Sequence, residues 1–252
     1  MKTSITNFLT LLLLLVVPGL FVLSCEDQTR LETDRVVVPE EDLQTESFAD
    51  GEPYEVAKVF FEQNFTDDDL GWQANIDHEG WRTLTIRDAN GKILLEVDAK
   101  GSLADEEIGI TEFSTESEEP SPEEVLALFG PGTYTITGKT VGGDKLMSMV
   151  QVSHTFLDPP DIVNLEDGDV VDPEDFVVEY DAPGAASVEI IVEDEEGENV
   201  WSVLVTEDSG ELTVSPQFFE EGTEYKIEAI AEHPNGNKSI AEINVTTSGN
   251  PI

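Results

Sequence analysis

Beyond residue 53 the chain alternates apolar and polar residues with a period of two, the pattern of strands with one buried face. Trp81-Arg82-Thr83-Leu84-Thr85-Ile86-Arg87 alternates up to Asp88-Ala89-Asn90-Gly91, and Ile93-Leu94-Leu95-Glu96-Val97 resumes beyond it. Asn-Gly between two such runs is a hairpin signal, because both residues accept the positive φ of a tight turn. Two further hairpins are predicted. One runs from Thr133-Tyr134-Thr135-Ile136-Thr137 through Gly142-Gly143-Asp144 to Met147 through Val152, and the other from Tyr225 through Ile230 around Asn235-Gly236-Asn237 to Ile240 through Val245. A helix is predicted over Pro122 to Phe129, with Ser121 as cap, Pro122 at the first helical position, Glu123-Glu124 at the positive helix end and Gly130-Pro131 as the stop.

The segments repeat. Phe129-Gly130-Pro131-Gly132-Thr133-Tyr134 parallels Phe219-Glu220-Glu221-Gly222-Thr223-Glu224-Tyr225, and Ile86 through Gly91 parallels Val192 through Gly197, at offsets of 90 to 106 residues. An offset near 100 residues is one β-sandwich domain per repeat. Pro159-Pro160 enforces an extended connection, so the boundary is placed there. The expected fold is all-β: two tandem immunoglobulin/fibronectin type III-like β-sandwiches at 53–158 and 159–248, with one short helix in the first.

The N-terminus carries a different pattern. Lys2 precedes an apolar run from Phe8 to Leu23 that ends at Ser24-Cys25, the sole cysteine. The run is shorter than the roughly 20 residues a membrane span needs and is interrupted by Pro18-Gly19, so it reads as a secretory signal over 1–24. Val22-Leu23-Ser24-Cys25 resembles the lipobox of bacterial lipoproteins, which implies cleavage before Cys25 and its lipidation, with acyl chains such as palmitate. Two or three chains hold a protein on a bilayer almost permanently. Residues 25–52, rich in acids apart from Val36-Val37-Val38, then read as a tether that self-repulsion extends. Glu26 rather than aspartate follows Cys25. By the same resemblance this implies an outer-membrane address, on the periplasmic face or the cell surface.

Residues 159–248 resemble a fibronectin type III domain in the opening Pro159-Pro160, the turn at Asp167-Gly168, the strand Phe176 through Tyr180, Trp201, and Gly222-Thr223-Glu224-Tyr225 leading to Val245-Thr246-Thr247. The resemblance implies that Tyr225 is the tyrosine of the penultimate strand that sits at the core. Tyr180 stands where that family more usually has tryptophan. Residues 53–158 look like a diverged relative.

The chain carries 55 acidic and 12 basic residues, net -43, and loss of Lys2 with the leader takes this to -44. With no cluster of three basic residues, a phosphate-binding surface is excluded, and nucleic acid with it. A saline medium, whose Debye length is about 8 Å or less, makes such a surface tolerable. With Cys25 lipidated, no disulfide forms within the monomer, and stability must come from packing.

Catalytic constellations are sparse. His78, His154 and His233 have no ligand-like spacing, no Gly-x-Ser-x-Gly occurs, and paired acids carry no information in so acidic a chain. No enzymatic activity is expected. The richest loop is Asn64 through Trp72, with Asp67, Asp68 and Asp69 adjacent and Asp77 downstream. These acids are solvated turn carboxylates or, since calcium takes six to eight oxygens, ligands of a calcium ion. Asp167-Gly168-Asp169 is a weaker instance. Asn64, Asn237 and Asn244 begin Asn-x-Ser/Thr triplets at chance frequency, and Trp72, Trp81 and Trp201 are either core or an exposed sugar platform. The function expected is a non-enzymatic binding, display or structural module. It would be held to the membrane through the lipid on Cys25 and would engage an envelope protein or glycan. A calcium-dependent adhesive module and an accessory subunit of a secreted hydrolase or transport complex are the alternatives.

Overall fold

Alternation is realised in the structure as alternating burial: along β10 (Ser187–Glu193), Val188, Ile190 and Val192 are buried while Glu189 and Ile191 face the other side. The computed structural model describes residues 47–105, 109–115 and 121–249. The signal, Cys25 and the tether as far as residue 46 lie outside them. Fourteen strands and two short helices follow in order, β1 (Val56–Asn64), β2 (Asp69–Arg87), β3 (Ile93–Asp98), α1 (Ser102–Asp105), β4 (Ile110–Thr115), α2 (Pro122–Leu128), β5 (Gly132–Thr140), β6 (Lys145–Val152), β7 (Asp161–Ile162), β8 (Asp169–Val171), β9 (Val177–Asp181), then β10, β11 (Asn199–Val205), β12 (Ser209–Thr213), β13 (Glu224–Glu232) and β14 (Lys238–Thr247). The chain is all-β, and the three hairpins read from the sequence are β2–β3, β5–β6 and β13–β14. The helix over 122–128 stands where its signals put it. The Ser121 hydroxyl donates to the Glu124 carboxylate at 2.8 Å, and Val125 is fully buried against β2.

The first lobe is organised around β2, whose 19 residues do two jobs. Its first half pairs with β1 and β4, and its second half with β3 and β5. The turn of the strand between them falls at Gly80, whose φ is +51°. A Cβ on Gly109 would lie 2.3 Å from the Gly80 Cα, so two bare backbones touch at the bend. Both halves therefore face one core, in which Ile76 before the bend and Trp81, Leu84 and Ile86 after it are fully buried with Phe61, Tyr134 and Ile136.

The second lobe packs the order β11-β10-β13-β14, with β8 parallel to β14, over the small sheet β12-β9-β7. The chain changes sheet between β7 and β8, between β8 and β9, between β9 and β10, between β11 and β12, and again between β12 and β13. That order is an immunoglobulin-like sandwich of the fibronectin type III kind. Tyr225, the second residue of β13, is buried, and its hydroxyl accepts the Glu220 N–H at 2.8 Å. A tyrosine tied to backbone a few residues upstream is the corner device of such sandwiches. Its sequence counterpart Tyr134 does the same in the first lobe, donating to the Gly130 carbonyl at 2.9 Å. Tyr180 is buried on β9, within the second core.

The two cores belong to one sheet. β1 of the first lobe pairs in parallel with β14 of the second through Glu62, Gln63 and Asn64 against Lys238, Ser239 and Ile240, giving the continuous order β11-β10-β13-β14-β1-β2-β5-β6. The described residues, from 47 to 249, belong to a single compact unit.

Candidate functional site

The joint between the lobes is built by the turn before β14. Gly236 takes a φ of +94°, and the Asn235 carboxamide oxygen accepts the Asn237 N–H at 2.9 Å, which aims the Asn237 side chain into the joint. There Asn237 is 2 % exposed. Its Oδ1 accepts the N–H of Phe61 on β1 at 3.0 Å, and its Nδ2 donates to the carbonyls of Ser153 at 2.8 Å and Thr155 at 3.0 Å. One side chain thus satisfies three backbone groups of the first lobe and of the segment leaving it. Ser239, also buried, donates to the Leu157 carbonyl at 2.9 Å. Lys238 ties β14 to β1 by charge, with Nζ 2.8 Å from Glu62 and 5.4 Å from the centre of the Phe60 ring.

The outward face of this joint is concave. Strand register aligns Glu189, Ile230, Ile240, Asn64 and Asp69 in one row across five strands, with Glu232, Lys238, Glu62 and Gly71 in a neighbouring row. All of them except Glu232 line a groove of about 340 Å³ with Ile191, Glu228, Gln73 and Glu242. Its base is apolar, since Ile230 and Ile240 are 8 % and 7 % exposed. Its walls are carboxylates held by the second lobe's two lysines. Lys226 lies 2.8 Å from Glu193, 2.5 Å from Glu228 and 3.7 Å from Glu242. Burial alone would pull Lys226 down, but hydrogen bonds to Glu193 and Glu228 and the charges of Glu228 and Glu242 outweigh it and hold its pKa above the ordinary lysine value. Glu242 is pushed up, by burial first and then by the adjoining Glu228, and Lys226 opposes this only in part.

The acidic loop closes one end of the groove as the β1–β2 hairpin. Asn64 Oδ1 accepts the N–H groups of Thr66 at 2.9 Å and Asp67 at 3.3 Å, and Asp68 adopts a φ of +56°, which an aspartate tolerates better than most residues. The loop is docked on β14. Asn64 Nδ2 donates to Glu242 Oε1 at 2.8 Å, the Glu242 N–H donates to Thr66 Oγ1 at 2.8 Å, and the Phe65 N–H donates to the Ile240 carbonyl at 3.0 Å. Asp67 and Asp68 are exposed at the tip, and Asp69 opens β2 at the groove. Asp77 is not brought to them. It pairs with Val56 while Asp69 pairs with Asn64, so the two stand at opposite ends of β1, about 26 Å apart at 3.3 Å per residue. Among the described residues no group of three His, Cys, Asp or Glu side chains is placed to hold a metal ion.

The remaining sequence features resolve into structure. Asp167 Oδ1 accepts the Asn244 N–H at 2.9 Å and ties the turn to β14, while Asp169 accepts the Glu166 N–H at 2.9 Å and closes the turn itself. Trp81 is fully buried and Trp72, 6 % exposed, stacks on Phe129 at 4.8 Å, so neither can form a sugar platform; Trp201 is half-buried in the second core. His154 contacts the Phe129 carbonyl at 2.8 Å, and His233 Nδ1 accepts the Asn235 N–H at 3.0 Å. Sequence reasoning missed Asn237 and Ser239. Their only signal was a buried-polar role that cannot be told from a turn without the partner strand.

No family model matches the chain, and no curated protein matches it. Among solved structures it is similar to Tp47, the 47-kilodalton lipoprotein of Treponema pallidum, at 14 % identity over 76 % of this chain and 50 % of that one, with a TM-score of 0.35. It is similar to the chicken CNTN1 FN1-FN3 domains at 12 % identity over 79 % of this chain and 69 % of that one (TM-score 0.31), and to CopC from Methylosinus trichosporium OB3b at 19 % identity over 39 % of this chain and all of that one (TM-score 0.29). The sandwich assignment rests on strand order and the two tyrosine corners.

Proposed function

We propose that this protein is a lipid-anchored, extracytoplasmic module that binds or displays rather than catalyses. The observation that carries the binding role is the joint: a buried asparagine and a continuous sheet fuse two sandwich lobes into one body whose outward face is a carboxylate-walled groove. A spacer needs no such groove, and lobes joined by a free linker could not keep its rows in register. The anchor rests on Val22-Leu23-Ser24-Cys25, and the address on Glu26. The membrane is engaged through lipid on Cys25, and the partner is an envelope protein or glycan met by the folded unit.

Two measurements test this. An alkyne fatty acid fed to expressing cells should label the protein and fractionate it with membranes, and Cys25→Ser should abolish both. Labelling that survives the substitution would remove the anchor. The full chain in detergent should bind isolated envelopes saturably. Binding no greater than that of heat-unfolded protein would remove the binding role.

A further inference from the structure

β11 ends the long sheet. Among the described residues it pairs with β10 alone, so one side of its backbone has no partner strand there. Open edges template the addition of another strand, and natural proteins usually blunt them with lysine, proline, brevity or a covering segment. The other end of the same sheet is blunted: β6 begins with Lys145, and Glu52 bridges Leu146, accepting the Met147 N–H at 2.7 Å. In the small sheet β7 has two residues and β12 carries Glu211. Among the described residues β11 has no lysine, proline or covering segment along it, and its one irregularity, a register shift at Val200, lies at its start and leaves Trp201 to Val205 in regular pairing. Its seven residues, Asn-Val-Trp-Ser-Val-Leu-Val, include no charge and no proline in a chain with 67 charged residues. Trp201, Val203 and Val205 hold the strand on the second core, while Leu204 on the opposite face is 64 % exposed.

The charge around this edge selects the occupant. Asp194, Glu195, Glu196 and Glu198 precede the strand, and Glu207 and Asp208 follow it. A second copy pairing edge to edge would bring acidic ends together in either direction. A strand with alternating apolar residues and Lys or Arg at both ends would gain main-chain hydrogen bonds along β11 and charge complementarity at its flanks. We propose that the β11 edge receives an extended, basic-flanked segment of a partner protein by strand addition. This deepens the binding role proposed above and rests on it.

The probe is a fluorescent peptide, Lys-Lys-Thr-Val-Thr-Val-Thr-Val-Lys-Lys, titrated into the full chain in detergent at low salt. Saturable binding is expected. It should weaken at least tenfold when the central six residues are N-methylated, which removes strand donors without changing charge. It should weaken similarly when the flanks are glutamate, and in Leu204→Lys, an exposed position at which the fold is kept. Equal binding of the methylated peptide, indifference to L204K, or no binding at all would overturn the proposal. A dimer at high salt that L204K dissolves would also overturn it, by making the occupant a second copy. Failure here with envelope binding intact removes this site alone.

Discussion

Replacing Asn237 by alanine removes three hydrogen bonds at once and strips the Phe61 N–H and the Ser153 carbonyl of their partner, while the Thr155 carbonyl keeps the Asn235 carboxamide as a donor at 2.9 Å. A net contribution of about 1 kcal/mol per bond gives a loss of about 3 kcal/mol, and partners stranded without water raise it toward about 5. Against a total stability of about 5–15 kcal/mol, that is a large fraction. For a unit of this size each kcal/mol is worth about 2–4 °C, so melting should fall by about 6–20 °C. Asn237→Asp discriminates further. Aspartate is the same size and still accepts from Phe61, but it cannot donate to the two carbonyls, and its charge is buried against them. It should therefore be worse than alanine. Calorimetry and urea titration of the full chain are the assays, and calorimetry of N237A should also separate the single transition into two as the lobes uncouple. A loss below about 1 kcal/mol for N237A, or N237D milder than N237A, would refute the reasoning.

Tyr225→Phe leaves the Glu220 N–H without its acceptor and should cost about 1–2 kcal/mol in urea unfolding, and a cost under about 0.5 would deny the corner its role. Because the Glu242 pKa is raised on folding, the folded state holds its proton more tightly than the unfolded chain; stability from this group is fully present below the ordinary glutamate value of about 4.3 and is lost as pH rises through the folded value. Glu242→Gln, which keeps an acceptor for Asn64, should flatten that dependence between wild type and variant, and parallel stability-against-pH curves would contradict it. With Asp77 at the far end of β1 from Asp69, calcium should raise the melting temperature no more than an ionic-strength-matched sodium control. A calcium-specific rise would mean that Asp67 and Asp68 recruit other ligands to a cation.

The hairpins and the helix at 122–128 were legible because each is set by neighbours in the chain. Asn90-Gly91 and Asn235-Gly236 favour a tight turn wherever they occur, and Ser121-Pro122-Glu123-Glu124 starts a helix from its own side chains. The repeat that sets Tyr225 91 residues after Tyr134 was legible as an echo of sequence, and the structure showed that both tyrosines close a corner. The fusion of the lobes was not legible. β1 meets β14 across 176 residues, and nothing in Glu62-Gln63-Asn64 names Lys238-Ser239-Ile240 as its partner. Asn237, at chance frequency a surface triplet, becomes a buried polar joint only after both lobes are in place. The acidic loop illustrates the same limit: Asp67 to Asp77 are close in sequence, but an extended strand carries Asp77 away, and only the fold decides which carboxylates meet. By itself the sequence determined strand content, turn positions, the charge of the chain and the cysteine that ends the N-terminal apolar run, all local or additive properties. Tertiary structure alone decided which edges are closed, which carboxylates share a groove and which strand is left open, because those depend on pairings that no local signal encodes.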